Sequence, residues 1–317
     1  MRIFALSDLH VDYEANLKWV HNLSRCDLVD DLLIMAGDIS HHRSRIDACL
    51  TALTRRFKQV LFVPGNHDLW VLRDPPGVDS LMKFEAVMQT AGDCGATTTS
   101  LRFGNRLIVP LLGWYDYSFG RPVAEIRHLW TDFRACRWPA GFDEAAITDY
   151  FTRLNVIPPA RGINRADVTG KTDTANGTGL SGMADTTGTA GMTGTVGETG
   201  LPGPATRPEP GALTDLDSLA HDAGAHTPSR ITVSHFLPRA DLVPAGVPEH
   251  FRILTPVLGS TRLEEQLRRI RPDIHIYGHS HINRDVMLEG IRYINNAFGY
   301  PQETRIAGKQ LLCIDAF

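Results

Sequence analysis

Along the N-terminal third of the chain, short runs of almost purely apolar residues alternate with longer stretches whose apolar positions recur every three or four residues. Arg2–Ser7, Asp31–Met35 and Gln59–Val63 are runs of the first kind and read as strands. Asn16–Leu23, with Leu17, Val20 and Leu23 on one face, Ile46–Phe57 and Ser80–Thr90 read as helices. Such alternation predicts βαβ units and a sheet covered on both faces. After Gly95 the period changes. Thr98–Phe103 and Arg106–Leu112, broken at Gly104-Asn105, predict a hairpin. The strand and helix pattern resumes near the C-terminus with strands at Arg230–Ser234 and Asp273–Tyr277 and a helix at Thr261–Ile270. Arg284–Leu288, Ile291–Ile294 and Leu311–Ile314 complete the strands, the first two joined by a turn at Glu289-Gly290.

Two segments interrupt this pattern. Residues 113–165 are rich in aromatics (Trp114, Tyr115, Tyr117, Phe119, Trp130, Phe133, Trp138, Phe142), which suit either a cap over a site or ordinary core. Residues 166–227 turn to Gly, Thr, Ala, Asp and Pro, too poor in large apolar groups to offset the entropy of ordering. Within them Gly188, Gly191, Gly194, Gly197, Gly200 and Gly203 keep a period of three, the register of a collagen triple helix. The run is short and its prolines come only at the end, so a disordered insert within a single domain is the expectation.

Composition narrows the functional classes. At 317 residues, 43% hydrophobic and 21% charged, the chain fits one large globular domain or two of average size. A net charge of -4 leaves no broad basic surface, which argues against a nucleic-acid partner. The five cysteines (Cys26, Cys49, Cys94, Cys136, Cys313) are scattered without a C-x-x-C pair, as expected of reduced thiols in the cytoplasm rather than a disulfide framework. No apolar stretch approaches the ~18 residues of a membrane span, and the opening run is too short for a signal peptide.

The informative feature lies just beyond each strand. Asp8-Leu9-His10, Gly37-Asp38, Gly65-Asn66-His67-Asp68, His235 and Gly278-His279-Ser280-His281 place metal-capable groups at five strand ends. Turn formation alone explains Pro64, Gly65 and Asn66 but not the recurrence of Asp and His. In open α/β sheets, ligands bind beyond the carboxyl ends of the strands, so these groups are expected to converge. Carboxylate and imidazole donors without thiolate suit Mn, Fe or Zn. Seven candidate ligands (Asp8, His10, Asp38, Asn66, His235, His279, His281) are too many for one ion and fit two sharing a bridging carboxylate, which together activate water and clamp a phosphoryl group. His67, beside Asn66, is free to donate a proton to a leaving oxygen.

The ordered set D-x-H, G-D, G-N-H-D, H and G-H-x-H resembles the calcineurin-like metallophosphoesterase superfamily over residues 1–112 and 230–317. That resemblance implies an α/β fold, a four-layer αββα sandwich of two mixed sheets flanked by helices. It also implies that Asp8, His10 and His281 hold one divalent metal, that Asn66, His235 and His279 hold the other, and that Asp38 bridges, with His67 as general acid. His41 stands where the family's protein phosphatases carry a second Asp, and their substrate-gripping Arg is out of register here, which disfavours a protein phosphatase. The motif pattern is similar to class III cyclic-nucleotide phosphodiesterases and related bacterial enzymes.

The expected activity is hydrolysis of a small-molecule phosphate mono- or diester by metal-bound hydroxide, with diesters preferred. Two rivals are a metal-dependent DNA-processing nuclease and a non-catalytic scaffold of the same fold. His41 and Arg43 are candidate phosphate contacts or a surface cluster at a helix start. Asp68 either orients His67 or caps the turn, and Trp70 either walls the pocket or packs in the core.

Overall fold

A computed structural model describes residues 1–159 and 228–317 of the chain. The segment expected to be a disordered insert, 166–227, and its glycine period lie outside the described residues.

The first sheet is built from β1 (Arg2–Leu6), β2 (Leu32–Ala36) and β3 (Gln59–Val63), all parallel, with β10 (Leu312–Ala316) antiparallel against β1. Its order is β10-β1-β2-β3. The strand LLIMA of β2 is buried at every position, as a parallel strand covered on both faces must be. The second sheet has the order β4-β5-β6-β7-β9-β8. It contains β4 (Leu101–Phe103), β5 (Arg106–Pro110), β6 (Ser229–Val233), β7 (Ile274–Tyr277), β8 (Arg284–Leu288) and β9 (Ile291–Asn295). Both predicted hairpins, β4–β5 and β8–β9, pair antiparallel, and the second turns on Glu289 and Gly290 at φ 49 and 82°.

Strands from either side of residues 160–227 therefore interleave. β10 completes the first sheet, and β5 pairs directly with β6 in the second. The two sheets face one another through Ile3, Ile34, Leu61 and Val63 on one side and Ile108, Ile231, Val233, Ile276 and Ile294 on the other. The outer face of the first sheet (Phe4, Leu6, Leu33, Met35, Phe62) is covered by α1 (Glu14–Asn22), α2 (Arg43–Thr54) and α3 (Ser80–Asp93). The outer face of the second meets further helices. The aromatic segment after β5 contains two single turns, α4 (Ile126–Leu129) and α5 (Asp132–Ala135), and α6 (Glu144–Leu154). Phe151 of α6 and Leu263, Leu267 and Ile270 of α7 (Thr261–Ile270) pack over Leu107, Val109, Tyr277 and Tyr293. These are the four layers, helices, sheet, sheet, helices, of an αββα sandwich.

Asp79, Asp143 and Ser260 cap α3, α6 and α7 by accepting a backbone N–H in the first turn. All five cysteines are free. Among the described residues no helix is long and apolar enough to cross a membrane.

Candidate metal centre

The seven predicted ligands come together where the C-terminal ends of β1, β2, β3, β6 and β7 meet. Asp8 and His10 follow β1, Asp38 follows β2, Asn66 follows β3, His235 follows β6, and His279 and His281 follow β7. All seven are buried or nearly so. The backbone there is held in an uncommon state. Asp8, His10, Asp38, His279 and His281 have φ between 44 and 69°, and they are five of the nine non-glycine residues with positive φ among those described. Such strain persists only where surrounding contacts over-determine it. Gly65 is part of that restraint, because a Cβ there would overlap the Asp38 carboxylate and the His235 ring. Gly37, at φ 86°, likewise leaves no room beside His235.

Two donor groups share Asp38. Asp8, His10, Asp38 and His281 offer one ligand atom each, all within 4.8 Å of one another, and Asp38, His235 and His279 form a second set by the same measure. In the first, His10 Nε2 lies 3.0 Å from His281 Nε2, which is 3.4 Å from Asp8 Oδ1. In the second, His235 Nε2 lies 3.0 Å from Asn66 Oδ1, 3.2 Å from His279 Nδ1 and 3.5 Å from Asp38 Oδ1.

The ring protons decide what these short distances mean. His235 Nδ1 donates to the Ala36 carbonyl at 2.9 Å, and His279 Nε2 to that of Val257 at 3.1 Å. Their other nitrogens, which face each other, then carry lone pairs only. Burial lowers the pKa of both rings, that of His279 to about 3, so they stay neutral. Two lone pairs aimed at each other beside an amide oxygen and a carboxylate repel unless a cation lies among them. The donor set thus fits a divalent metal at this position. His281 Nδ1 is engaged by Glu303 Oε2 at 2.7 Å, leaving Nε2 to face His10 and Asp8. Burial opposes a charge on His281, yet Asp8 and Glu303 outweigh it and lift its pKa to about 10. Asp38 also calls for positive charge, since burial, Asp68 and Asp8 hold its pKa well above the usual carboxylate range.

A second set of residues supports these donors. Asp68 spends its oxygens on backbone N–H groups and not on the His67 ring. Its Oδ2 accepts the N–H groups of Gly65 at 2.8 Å and Asp38 at 2.9 Å, and its Oδ1 those of Ile39 at 2.9 Å and Ser40 at 3.1 Å. It therefore ties the loop after β3 to the loop after β2. The His67 ring stacks on Trp70, centroids 3.6 Å apart, and its Nε2 is 3.8 Å from Asp38 Oδ2 and 3.4 Å from the Tyr300 hydroxyl. Burial first, then His10 and His281, push the His67 pKa well down. His41 is half-buried with Nδ1 3.5 Å from Asp12 Oδ2, in a group with His42, and Arg43 is exposed at the start of α2.

Glu303 and Asp132 have no motif context in the sequence. Asp132 Oδ1 accepts from Asn66 Nδ2 at 2.8 Å and Trp70 Nε1 at 2.6 Å, and its Oδ2 from Trp130 Nε1 at 2.7 Å. The signal that could have pointed to it is the half-buried indole pair of Trp70 and Trp130, because an indole N–H turned inward needs an acceptor.

Residues 1–156 match the family model described as calcineurin-like phosphoesterase. That match covers just under half of the chain, and the αββα fold with its buried carboxylate, amide and imidazole donors agrees with it. That span contains Asp8, His10, Asp38, Asn66 and His67, and the structure brings His235, His279 and His281 to them from beyond it. The acyl-carrier-protein phosphodiesterase PptH of Mycobacterium tuberculosis is 34% identical over 125 residues, covering 37% of this chain and 38% of that protein. The alignment thus spans well under half of that relative's length. The crystal structure of phosphopantetheinyl hydrolase (PptH) from Mycobacterium tuberculosis superposes with a TM-score of 0.62, covering 99% of this chain and 95% of that one at 20% identity, a likeness of fold.

Proposed function

We propose that this protein hydrolyses phosphate esters, diesters in preference to monoesters, at a dinuclear divalent metal centre. Asp8, His10 and His281 hold one metal, Asn66, His235 and His279 hold the other, and Asp38 bridges them. The observation that carries the reading is the facing pair of His235 and His279, whose protons are both committed to backbone carbonyls. Bound there, two cations lower the pKa of water and neutralise phosphoryl oxygens. Manganese, iron and zinc all suit oxygen and imidazole donors.

The chain's own residues do the rest. Asn66 contributes an uncharged oxygen, which limits repulsion of an anionic substrate. His67 is the proton donor to the leaving oxygen. Its ring is neutral in the free protein, so it takes up its proton as the phosphate anion arrives and supplies negative charge nearby. The Trp70 stack keeps the ring from turning away. His41 lies beyond Trp70, with ring centroids 6.1 Å apart, and with Arg43 is a candidate contact for the distal part of a substrate.

The related enzyme's name refers to a phosphodiester of an acyl carrier protein. A protein-borne phosphate ester therefore belongs in the substrate panel beside small diesters and cyclic nucleotides. The direct test is metal-stimulated cleavage of bis-nitrophenyl phosphate. Asp38→Ala and His281→Ala should abolish it while the protein stays folded, and retention of activity in both would remove the dinuclear reading.

A further inference from the structure

Asn66 poses a problem that its motif does not solve. The two ends of a side-chain amide are nearly the same shape, but only the carbonyl oxygen can face a cation; the NH2 end would repel it. Something must choose between the two orientations. The only partner that forces the choice is one that accepts and cannot donate, and Asp132 is such a group. It is 2% exposed, and its partners are all neutral donors, namely the Asn66 amide, the Trp70 and Trp130 indoles and the Tyr115 hydroxyl. A carboxylate buried among neutral donors is costly, and packing alone would be met by an apolar residue of the same size.

We propose that Asp132 is a positioning residue that locks the Asn66 carbonyl oxygen toward the metal donors and, through the two indoles, fixes the surroundings of His67 and His279. Trp70 bonds to Asp132 Oδ1 and stacks on His67, and Trp130 bonds to Oδ2 and meets His279 in a T-shaped contact, centroids 5.5 Å apart. One carboxylate from the segment between the two hairpin-bearing halves thus reaches two of the metal donors, Asn66 and His279, and the acid His67. The inference rests on the reading of Asn66 as a metal ligand.

The test is calorimetric titration of Mn(II) into the metal-stripped full chain, which reads binding rather than turnover. Wild type should take up two equivalents. Asp132→Ala should weaken one of them by about 10–100-fold, the range for loss of a partner that orients a ligand, and leave the other unchanged. In Asp132→Asn the Trp70 indole, which donates to the same oxygen as Asn66, would hold the new carbonyl end toward Asn66 in place of the carboxylate, so this variant should restore most of the lost affinity. A folded Asp132→Ala that binds both equivalents as tightly as wild type overturns the role of Asp132 and leaves the dinuclear reading intact. If Asp132→Ala does not fold, Asp132→Asn decides alone, since a loss equal to that of Asn66→Leu would contradict the lock. Wild type taking up no manganese would overturn the dinuclear reading, and this inference with it.

Discussion

Replacing Asp68 by Asn changes one atom in a fully buried carboxylate, and the surrounding hydrogen bonds set the size of the effect. Each oxygen of Asp68 accepts two backbone N–H groups, Gly65 and Asp38 on one side, Ile39 and Ser40 on the other. An amide placed there must turn its NH2 toward one pair or the other, so flipping offers no escape. Two buried donors lose their acceptor, and at roughly 1–3 kcal/mol for each orphaned group the loss is about 2–6 kcal/mol. Asp68→Ala orphans all four, about 4–12 kcal/mol by the same reckoning, which rivals the ~5–15 kcal/mol stability of a whole domain. Urea unfolding followed by far-ultraviolet circular dichroism measures both. Asp68→Asn should lower the midpoint with an unchanged slope, and Asp68→Ala should be largely unfolded without denaturant. An Asp68→Asn variant within about 1 kcal/mol of wild type would refute the claim that this side chain braces the two loops.

Other parts of the molecule give further outcomes. Buried His275 of β7 hydrogen-bonds Thr232 and Ser234, and burial lowers its pKa from 6.5 to about 3. The unfolded chain therefore binds this proton below pH 6.5 while the folded one refuses it, so stability is full above that pH and falls as the pH drops toward 3. The span amounts to about 5 kcal/mol at most, and His275→Gln should flatten that part of the urea midpoint against pH; parallel curves would contradict it. His67→Ala should leave metal content unchanged and slow esters with poor leaving groups far more than nitrophenyl esters; equal losses on both would remove its role as acid. Gly65→Ala should lose metal binding together with stability, because its methyl would overlap Asp38 and His235; retention of wild-type manganese affinity would show that the loop can yield.

The donors were legible in the sequence because each is carried by a contiguous motif at the end of a recognisable apolar strand. Periodicity located nearly every long element; the starts of α3 and α7, after the caps Asp79 and Ser260, fall where expected, whereas α1 and α2, whose N-caps make no side-chain hydrogen bond, begin two or three residues earlier than the apolar pattern indicates. The features that escaped are non-local. Nothing near Asp132 signals that it will meet Asn66, 66 positions earlier, and Glu303 reaches His281 across 22. The aromatic segment after β5 holds two four-residue turns, too short for a 3.6-residue period to register. Its aromatics divide between roles. Trp114 and Tyr115 are wholly buried in the core, whereas Trp130 borders the donors. Asp68 was ambiguous between orienting His67 and capping a turn, and its oxygens went to the backbone of two loops, a pairing that depends on β2 and β3 lying side by side.

The proposed chemistry depends on two cations sharing Asp38. Low-temperature electron paramagnetic resonance of the protein loaded with Mn(II), alongside elemental analysis, tests it most directly. Two manganese per chain with the multiline spectrum of an exchange-coupled pair is the expected result, collapsing to an uncoupled signal in Asp38→Ala. A single manganese per chain, or two that give only the spectrum of isolated ions, would contradict it.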